Sequence, residues 1–345
     1  MARASARASG WRARRAAAMS GARASVIRAG VIGAGHLGSF HAEKYAAMAG
    51  VELVGIHDID AARARSVAQQ CGCRAMASLH ELLADADCVS IAVPTVAHHE
   101  VTLAAVAAGV HVLVEKPLAA SVAQGDEIVE AAERAGLLVQ VGHLERFNPA
   151  FTDLPAIVAN PRFIECHRLS PFAGRGTDID VVFDVMIHDL DLIAYIVGRE
   201  LESVEAIGVP VLSEHADIAN ARLRFRGGCI ANVTASRVSL KRERRLRIFQ
   251  EDAYVAVDFD SRSLRVMRRR QEGGAVDPAS PMQALSLDER SFDDADPLRA
   301  QIEAFVAAVR GERQPAVSAR EAMTALELAD AVLVALERER ERHGG

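Results

Sequence analysis

Aromatic side chains are scarce in this chain: Phe, Trp and Tyr make up 4% of its 345 residues, and Trp occurs once. So few rings argue against a surface that stacks on the bases of single-stranded nucleic acid. No apolar run reaches the length that a membrane-spanning helix needs. The cysteines are also few, odd in number and scattered, which favours a reduced, cytoplasmic protein without a disulfide framework. They are Cys71, Cys73, Cys88, Cys166 and Cys229.

Acidic residues are absent from residues 1–28, which hold seven arginines. Without this segment the formal charge would be −13 instead of −6, and so acidic a body argues against nucleic-acid binding. Three interpretations compete: a transit-like targeting peptide, a basic disordered arm, or a translation start assigned too early. We favour the last, because Met19 lies shortly before the first predicted strand. In each case we expect residues 1–24 to be disordered and outside the fold.

Half of the residues are hydrophobic, and the length fits two domains with a large core. In the first half, apolar strand-like runs alternate with helical segments, which predicts a parallel, doubly wound α/β sheet. The predicted strands are Ser25–Ile32, Val51–His57, Arg74–Ala75, Cys88–Ala92, His111–Val114 and Leu138–Val141. The predicted helices are Phe40–Ala49, Asp60–Gln70, Leu79–Ala84, His98–Ala108 and Ser121–Ala135, with Asp60 and Ser121 as N-caps.

The pattern changes after Phe147-Asn148-Pro149. One helix, Val182–Val197, ends at Gly198, and strands then follow without intervening helices, which predicts an α+β domain with an open, mostly antiparallel sheet. These strands are Ala219–Phe225, Cys229–Val238, Leu246–Gln250, Tyr254–Phe259 and Leu264–Arg268, followed by a loop, Gly273–Pro281, and two closing helices, Pro297–Arg310 and Ser318–Arg340. The predicted domains are therefore residues 25–146 and 147–340. One face of such a sheet needs a cover, so we expect a homodimer or homotetramer through it.

A glycine-rich turn, Gly33-Ala34-Gly35-His36-Leu37-Gly38, lies between the first strand and a helical segment. Gly33 allows a tight turn, Gly35 lets the backbone approach a pyrophosphate, and Gly38 lets the helix pack closely on the strand. This predicts a dinucleotide site that also includes His36 and Leu37.

Asp58 ends the second strand, where an acidic residue binds the adenine ribose of a dinucleotide. Its carboxylate repels a 2′-phosphate, which favours NAD over NADP. Arg63 and Arg65 lie near in sequence and weaken that preference.

Ligands of α/β sheets bind at the carboxyl ends of the strands. Glu115 and Lys116 stand at one such end, and a lysine beside a nicotinamide can exchange a proton with a substrate hydroxyl. A surface lysine paired with Glu115 is the alternative. Pro94, Thr95 and His98 follow the neighbouring strand and are candidate cofactor contacts, with a helix cap as the alternative for His98.

Asp184, His188 and Asp191 lie at positions i, i+4 and i+7 of a predicted helix, and so on one face. The functional interpretation is a His188 base, oriented by Asp184, that faces a substrate pocket. The alternatives are a structural Asp–His pair and an iron or manganese site. Hydride transfer to a nicotinamide needs no metal, so we expect none.

Arg146 and Asn148 lie where the chain leaves the first domain, which predicts a place at the interdomain cleft. A linker held by Arg146 salt bridges is the alternative.

Together, the motifs GAGHLG, EKP and DxxxH and the order of the two domains resemble the glucose–fructose oxidoreductase, inositol dehydrogenase and rhizopine-catabolism (Gfo/Idh/MocA) family, from Val26 to about Glu337. The resemblance implies NAD(P)-dependent oxidation or reduction of a sugar or polyol hydroxyl. It also implies that Lys116, Asp184 and His188 are the catalytic residues. Family members often carry a Gly pair before the DxxxH helix, where this chain has Asp180-Val181-Val182.

The segments GHLERFNPA, LSPF and MIHDLDLI resemble the branch of that family that oxidises the 3-hydroxyl of UDP-N-acetylglucosamine. Such a substrate needs cations for its diphosphate, and the candidates are Arg146, Arg168, Arg175, Arg237 and Lys241, each of which could equally be ordinary surface charge. Asn148 and His188 complete the predicted substrate contacts. The alternatives are a free-sugar or inositol dehydrogenase and, from another class, a non-catalytic NAD(H)-sensing protein. That last interpretation leaves Lys116 and the Asp184–His188 pair unexplained.

Overall fold

The computed structural model describes residues 26–172, 179–198, 200–270 and 284–342. The predictions for residues 1–24, Arg175 and the loop Gly273–Pro281 lie outside the described residues. The chain divides into two compact units, the first of residues 26–144 with Leu298–Leu326, and the second of Glu145–Pro297 with residues 327–342.

The first unit contains a six-stranded sheet in the order β3-β2-β1-β4-β5-β6, with every neighbouring pair parallel. The strands are β1 (Ile27–Ile32), β2 (Val51–His57), β3 (Arg74–Ala75), β4 (Cys88–Ile91), β5 (His111–Glu115) and β6 (Val139–Gly142). This order reverses direction beside β1, as in doubly wound dinucleotide-binding domains, and confirms the predicted fold class of the first domain.

Helices connect these strands, at His36–Ala46, Ala61–Cys71, Leu79–Asp85, His98–Ala107 and Val122–Ala135. Local chemistry sets their ends. Asp60 caps its helix by accepting from the amides of Ala62 and Arg63, and Ser121 caps its helix by accepting from Gln124. Both predicted N-caps are therefore confirmed.

The helix Pro297–Val309 belongs to the first unit, although the sequence predicted a second domain running unbroken from 147 to 340. Its apolar face explains the difference. Ile302, Phe305 and Val306 are buried in one cluster with Val31 and Tyr45 of the parallel sheet and its first helix. Burial of apolar surface of this kind is the main stabilising contribution to a core.

The second unit contains an eight-stranded sheet in the order β14-β13-β12-β11-β7-β10-β9-β8. Its strands are β7 (Phe163–Leu169), β8 (Leu201–Val209), β9 (Ile218–Phe225), β10 (Ile230–Ser236), β11 (Glu243–Phe249), β12 (Ala253–Asp258), β13 (Ser263–Arg269) and β14 (Leu285–Ser291). All neighbours are antiparallel except β7 and β10. The predicted open, mostly antiparallel sheet is confirmed.

Three strands of this sheet were not predicted, and each has a reason. In β7 buried and partly exposed residues alternate, as expected for a strand with one face in the core. One of the buried residues is Arg168, so the sequence lacks the regular apolar alternation that indicates a strand. Strands β8 and β14 lie at the two edges and carry exposed charged residues, as edge strands commonly do.

The second unit also contains a helical segment, Val182–Met186 continued by Ile187–Val197, and several short helices. One-turn helices lie at Leu144–Phe147, Pro149–Thr152 and Leu154–Ile157, and the long helix Ala319–Arg342 starts in the first unit and ends in the second. None of the helices among the described residues is long and apolar enough to cross a membrane.

Candidate active site

The glycine-rich turn joins β1 to the helix His36–Ala46. Gly33 has φ +93°, and a side chain there would overlap the carbonyl of Ala92 at the end of β4. A Cβ at Gly38 would overlap the carbonyl oxygen of Gly33. These two glycines are therefore required by the fold, which matches the tight turn and the close packing predicted for them.

Gly35 differs from both, because among the described residues, its two chain neighbours aside, no atom lies within 4 Å of the place where its Cβ would stand. Its backbone dihedrals, φ −70° and ψ −168°, are accessible to any residue. His36 and Leu37 beside it are exposed. The turn thus leaves open backbone at a helix N-terminus, where a pyrophosphate would be held, and these residues fit NAD.

The Asp58 carboxylate follows β2 and is directed back toward this turn. It accepts hydrogen bonds from the backbone amides of Ala34, at 2.6 Å, and Asp60, at 2.8 Å. The Arg63 guanidinium lies 3.7 Å from the same carboxylate. Asp58 is placed to present a fixed negative charge beside the turn, and its contact with the adenine ribose stays a prediction.

Pro94 and Thr95 follow β4, and Thr95 begins a short 3₁₀ turn, Thr95–Ala97, that leads into the helix His98–Ala107. The His98 side chain is 1% exposed and binds the chain itself. Its Nδ1 lies 2.7 Å from the carbonyl oxygen of Pro117 and its Nε2 lies 3.0 Å from that of Val93. A direct cofactor contact by His98 stays a prediction, and its observed partners are two backbone carbonyls.

Glu115 is the last residue of β5, and Lys116 follows it at the carboxyl edge of the sheet. The Glu115 carboxylate accepts a hydrogen bond from Nε2 of His41, at 3.0 Å. Lys116 is half-buried. The Glu115 carboxylate thus contacts a buried histidine, and the predicted alternative, a pairing of Glu115 with Lys116, stays a prediction.

Asp184 and His188 lie on one continuous helical segment of the second unit that packs against β7 and β10. The segment starts with a π-helix, Val182–Met186, and continues as an α-helix, Ile187–Val197, which ends at Gly198 with φ 55°. Asp184 and His188 are both partly exposed, whereas Asp191 is buried. The first turn is π-helical and has more residues per turn than an α-helix, so the shared face of the three side chains stays a prediction.

Three of the five cations proposed for the substrate diphosphate, Arg146, Arg168 and Arg237, have carboxylate partners in the second unit, whereas Lys241 is exposed. Arg146 donates to both oxygens of Asp191, at 2.8 and 2.7 Å. Arg168 donates to Asp189, at 2.8 to 3.1 Å, and to Glu145, at 2.7 Å. All three of these carboxylate side chains are at most 13% exposed.

Arg237 donates to Asp217, at 2.8 Å, and to the carbonyl oxygen of Ile179, also at 2.8 Å. Asn148 caps the short helix Pro149–Thr152 by accepting from the amide of Ala150. The roles of these side chains in substrate binding stay predictions, and in the structure each is part of a buried hydrogen-bonded network.

Electrostatics favour the charged forms of Arg168 and Asp217. Burial disfavours the charge on Arg168, but the carboxylates of Asp189 and Glu145 outweigh that cost and raise its pKa. Burial likewise disfavours ionisation of Asp217, yet the amides of Leu212 and Ser213 and the Arg237 guanidinium together hold its pKa below the usual range. Among the described residues no group of three or more His, Cys, Asp or Glu is arranged to hold a metal ion.

His41 is a polar residue of the site region that the sequence reasoning missed. It lies on the buried face of the helix His36–Ala46 and is 0% exposed. The available signal was a histidine one turn after Gly38, on the face of the helix that packs against the sheet.

A parallel sheet with an open glycine turn and a fixed carboxylate, followed by a sheet domain that carries Asp184 and His188 on one helical segment, defines an NAD-dependent oxidoreductase. Residues 27–143 match the GFO_IDH_MocA oxidoreductase family with an NAD-binding Rossmann fold, and residues 176–341 match the C-terminal alpha/beta domain of that family. The chain belongs to this family.

Several relatives carry enzyme names. The UDP-N-acetylglucosamine 3-dehydrogenase of Acidithiobacillus ferrooxidans is 40% identical over 275 residues, which cover 79% of this chain and 85% of that protein. A solved structure of UDP-N-acetylglucosamine 3-dehydrogenase GnnA from the same organism matches with a TM-score of 0.84 and 39% identity, over 90% of this chain and 98% of that one. Myo-inositol 2-dehydrogenase of Thermotoga maritima is 28% identical over 307 residues, 84% of this chain and 90% of that protein.

Proposed function

We propose that this protein oxidises the 3-hydroxyl of UDP-N-acetylglucosamine to a 3-keto group with NAD⁺. The observation that carries the proposal is the 40% identity, over most of both chains, with the Acidithiobacillus ferrooxidans protein of that activity. The inositol dehydrogenases are weaker relatives, at 28% identity for the one from Thermotoga maritima, and they supply the second candidate substrate class.

NAD⁺ held at the turn of Gly33, Gly35 and Gly38 supplies a hydride acceptor. Side chains of the protein accept the proton of the substrate hydroxyl and position its oxygen. In the proposal His188 receives the proton of the substrate hydroxyl on its imidazole, and Asp184 orients that ring and stabilises the imidazolium. Lys116 donates a hydrogen bond from Nζ to the same oxygen. Carbon loses a hydride and oxygen loses a proton, which leaves a ketone.

The diphosphate of the proposed substrate needs cations from the protein. Arg146, Arg168 and Arg237 would each have to exchange a buried carboxylate for a phosphate, at a cost in desolvation. We therefore propose Arg175 as the first cation to test. Its substitution by alanine is expected to raise KM for the nucleotide sugar while kcat changes little.

Self-association through the second unit is also part of the proposal. The core-facing side of its sheet carries Ile164, Ile248 and Val255, so the alternate residues Phe163, Phe249 and Tyr254 share the other side. Their rings lie side by side, with centroids 5.6 and 5.0 Å apart. An aromatic patch on an open sheet face fits a second copy of the chain. Sedimentation is expected to show a dimer or tetramer, and a monomer at micromolar concentration would contradict this.

We also propose a cytoplasmic location, which the five unpaired thiols support.

The activity is tested by incubating the purified protein and NAD⁺ with a panel of nucleotide sugars, free sugars and inositols. The absorbance of reduced cofactor and the mass of the product are followed. UDP-N-acetylglucosamine is expected to give the highest kcat/KM, with a product lighter by two hydrogen atoms. If the protein oxidises inositol and no nucleotide sugar, it is an inositol dehydrogenase. NAD⁺ binding without turnover of any substrate would favour the sensing protein.

Lys116→Ala and His188→Ala serve as the matched variants in that assay. Each is expected to lower kcat by about 100-fold or more, because each removes a group that acts in proton transfer. NAD affinity should stay nearly intact in both. Near-normal turnover in the two variants would refute their proposed roles even if the wild-type protein is active.

A further inference from the structure

The two sequence neighbours of Lys116 are each bound by a buried histidine from a different helix. His41 reaches the Glu115 carboxylate, with Nε2 to Oε1 at 3.0 Å. His98 reaches the Pro117 carbonyl oxygen, with Nδ1 at 2.7 Å. The two imidazoles are 0% and 1% exposed. Lys116 therefore lies between two fixed points within the first unit.

The His41 contact continues into the core as a chain of hydrogen bonds. Nδ1 of His41 lies 2.9 Å from the hydroxyl of Ser90, and the hydroxyl of Tyr45 lies 2.9 Å from the same oxygen. Burial raises the pKa of Tyr45 well above its usual value, so its phenol keeps its proton. An ionised Glu115 only accepts, so His41 donates through Nε2. The Ser90 hydroxyl thus joins the His41 ring to the Tyr45 phenol.

Gly142 also lies close to the Glu115 carboxylate. A Cβ at Gly142, on the neighbouring strand β6, would stand 2.8 Å from Oε1 of Glu115. The carboxylate thus lies directly against the backbone of β6, in space that any side chain would fill. A carboxylate that accepts a hydrogen bond and lies close to a neighbouring strand has less room to turn than an exposed one.

The His98 contact has a distinguishable donor. Burial lowers the pKa of His98, which favours the neutral ring with a single N–H. Two carbonyl oxygens compete for that proton, and the one of Pro117, at 2.7 Å, lies closer than the one of Val93, at 3.0 Å. The geometry therefore places the N–H on Nδ1, directed at Pro117.

We propose that His41 and His98 are positioning residues that fix the backbone of Lys116 from both sides and so aim its ε-amine. This inference rests on the proposed role of Lys116. A lysine side chain is long and flexible, so its stem must start from a rigid backbone if the amine is to meet a hydroxyl reproducibly. His41 also lies on the helix that the glycine turn begins, which links the dinucleotide-binding segment to the lysine.

Reciprocal amide substitutions test the proposal. The amide nitrogen of Asn stands near Nδ1 of the ring it replaces, and that of Gln stands near Nε2. His41→Gln therefore keeps the donor to Glu115, and His41→Asn loses it. At position 98 the order reverses: His98→Asn keeps the donor to Pro117, and His98→Gln keeps the contact with Val93.

The expected result is a crossed pattern in kcat. The kcat of His41→Asn is expected to be about tenfold lower than that of His41→Gln. The kcat of His98→Gln is expected to be about tenfold lower than that of His98→Asn. The reason is that a misplaced reacting group slows the chemical step. KM for NAD⁺ should change less than kcat in all four. A merely structural role would make Asn and Gln equivalent at each position, or make one amide worse at both, and either result would overturn the proposal.

A second readout needs no turnover. Reductive methylation of Lys116, followed by peptide mass spectrometry across a range of pH, reports the environment of its amine. The pH dependence of Lys116 labelling in His41→Gln and His98→Asn should stay close to that of the wild-type protein. In His41→Asn and His98→Gln it should differ more. If the wild-type protein oxidises no sugar, the proposed function fails, yet the labelling still decides whether the histidines hold Lys116.

Ser90→Ala serves as the milder variant if a histidine variant does not fold. It removes the hydroxyl behind His41 but leaves the bond to Glu115 in place. Its labelling profile should lie nearest to that of the wild-type protein. A profile as altered as that of His41→Asn would contradict the assignment of the Glu115 bond as the contact that matters.

Discussion

The Arg168 guanidinium is buried against the Asp189 carboxylate, with three N–O contacts between 2.8 and 3.1 Å. Nη1 of the same guanidinium donates to Oε1 of Glu145, at 2.7 Å. The pair joins strand β7 to the helix that carries His188, since Asp189 is the next residue along that helix. A cation that sequence reasoning assigned to the substrate thus binds the helix of the Asp184–His188 pair within the second unit.

Removing the Arg168 side chain is expected to destabilise the fold. Arg168→Ala should lower the free energy of unfolding by about 3–5 kcal/mol, because it leaves buried carboxylates without a counter-charge. Urea unfolding followed by circular dichroism measures the change. Arg265→Ala is the matched control, since Arg265 forms an exposed pair with Glu289 and its loss should cost about 1 kcal/mol or less. Equal effects of the two would contradict the assignment.

Gly35 and Gly38 separate cofactor binding from folding. Gly35→Ala should change the free energy of unfolding by about 0.5 kcal/mol or less, because nothing lies within 4 Å of the added methyl group. The methyl group would occupy the approach of the pyrophosphate, so the Kd for NAD⁺ should rise about tenfold or more. Calorimetric titration and thermal unfolding measure the two effects.

Gly38→Ala is the counterpart, because its Cβ would overlap the carbonyl oxygen of Gly33. This variant should lose stability or fail to fold. A stable Gly38→Ala protein, or a Gly35→Ala protein with unchanged NAD⁺ affinity, would show that the turn does not hold the pyrophosphate as proposed.

We expect Asp58 and Arg63 to set the choice between NAD⁺ and NADP⁺. The wild-type kcat/KM with NAD⁺ should exceed that with NADP⁺ by about tenfold or more, because a fixed carboxylate disfavours a 2′-phosphate. Asp58→Asn keeps the side-chain size and removes the charge, so the ratio of kcat/KM with NAD⁺ to kcat/KM with NADP⁺ should fall. Arg63, 3.7 Å away, is then available to the phosphate.

The double variant Asp58→Asn, Arg63→Ala is the control for that explanation. It should lose the NADP⁺ activity that the single variant gained. Comparable efficiency of the wild-type protein with both cofactors would remove the proposed role of Asp58.

Asp217 makes the stability of the second unit depend on pH at the acid end. Its pKa in the folded state lies below the value of about 3.9 in an unfolded chain, so its stabilising contribution is complete above about pH 4. The contribution is lost as the pH falls further, toward the folded-state pKa. Asp217→Asn should lower the urea midpoint at neutral pH more than at about pH 3. The same decrease at both pH values would contradict this.

Local signals in the sequence predicted local features of the fold. Asp60 and Ser121 cap helices with their own side chains, and Gly198 ends a helix in the left-handed conformation, so a few neighbouring residues determined each outcome. The alternation of strands and helices similarly determined the parallel sheet. The glycine turn with its carboxylate could be located because the spacing follows from the geometry of a dinucleotide.

Contacts between distant segments could not be predicted in the same way. Nothing near Arg168 in sequence shows that Asp189 would pair with it, and His41 meets Glu115 across 74 residues. The π-turn before His188 also escaped prediction, because one extra residue in a turn leaves no clear periodic signal. As a result, cations appeared available for a phosphate when in fact they bind buried carboxylates.

The transfer of hydrogen from carbon 3 of the sugar tests the central claim most directly. UDP-N-acetylglucosamine that carries deuterium at carbon 3 is incubated with the protein and NAD⁺, and the reduced cofactor is examined by mass spectrometry. The account predicts reduced cofactor that carries one deuterium, together with a 3-keto sugar nucleotide, and loss of both in Lys116→Ala and His188→Ala. Reduced cofactor without deuterium, or an unchanged substrate, would contradict it.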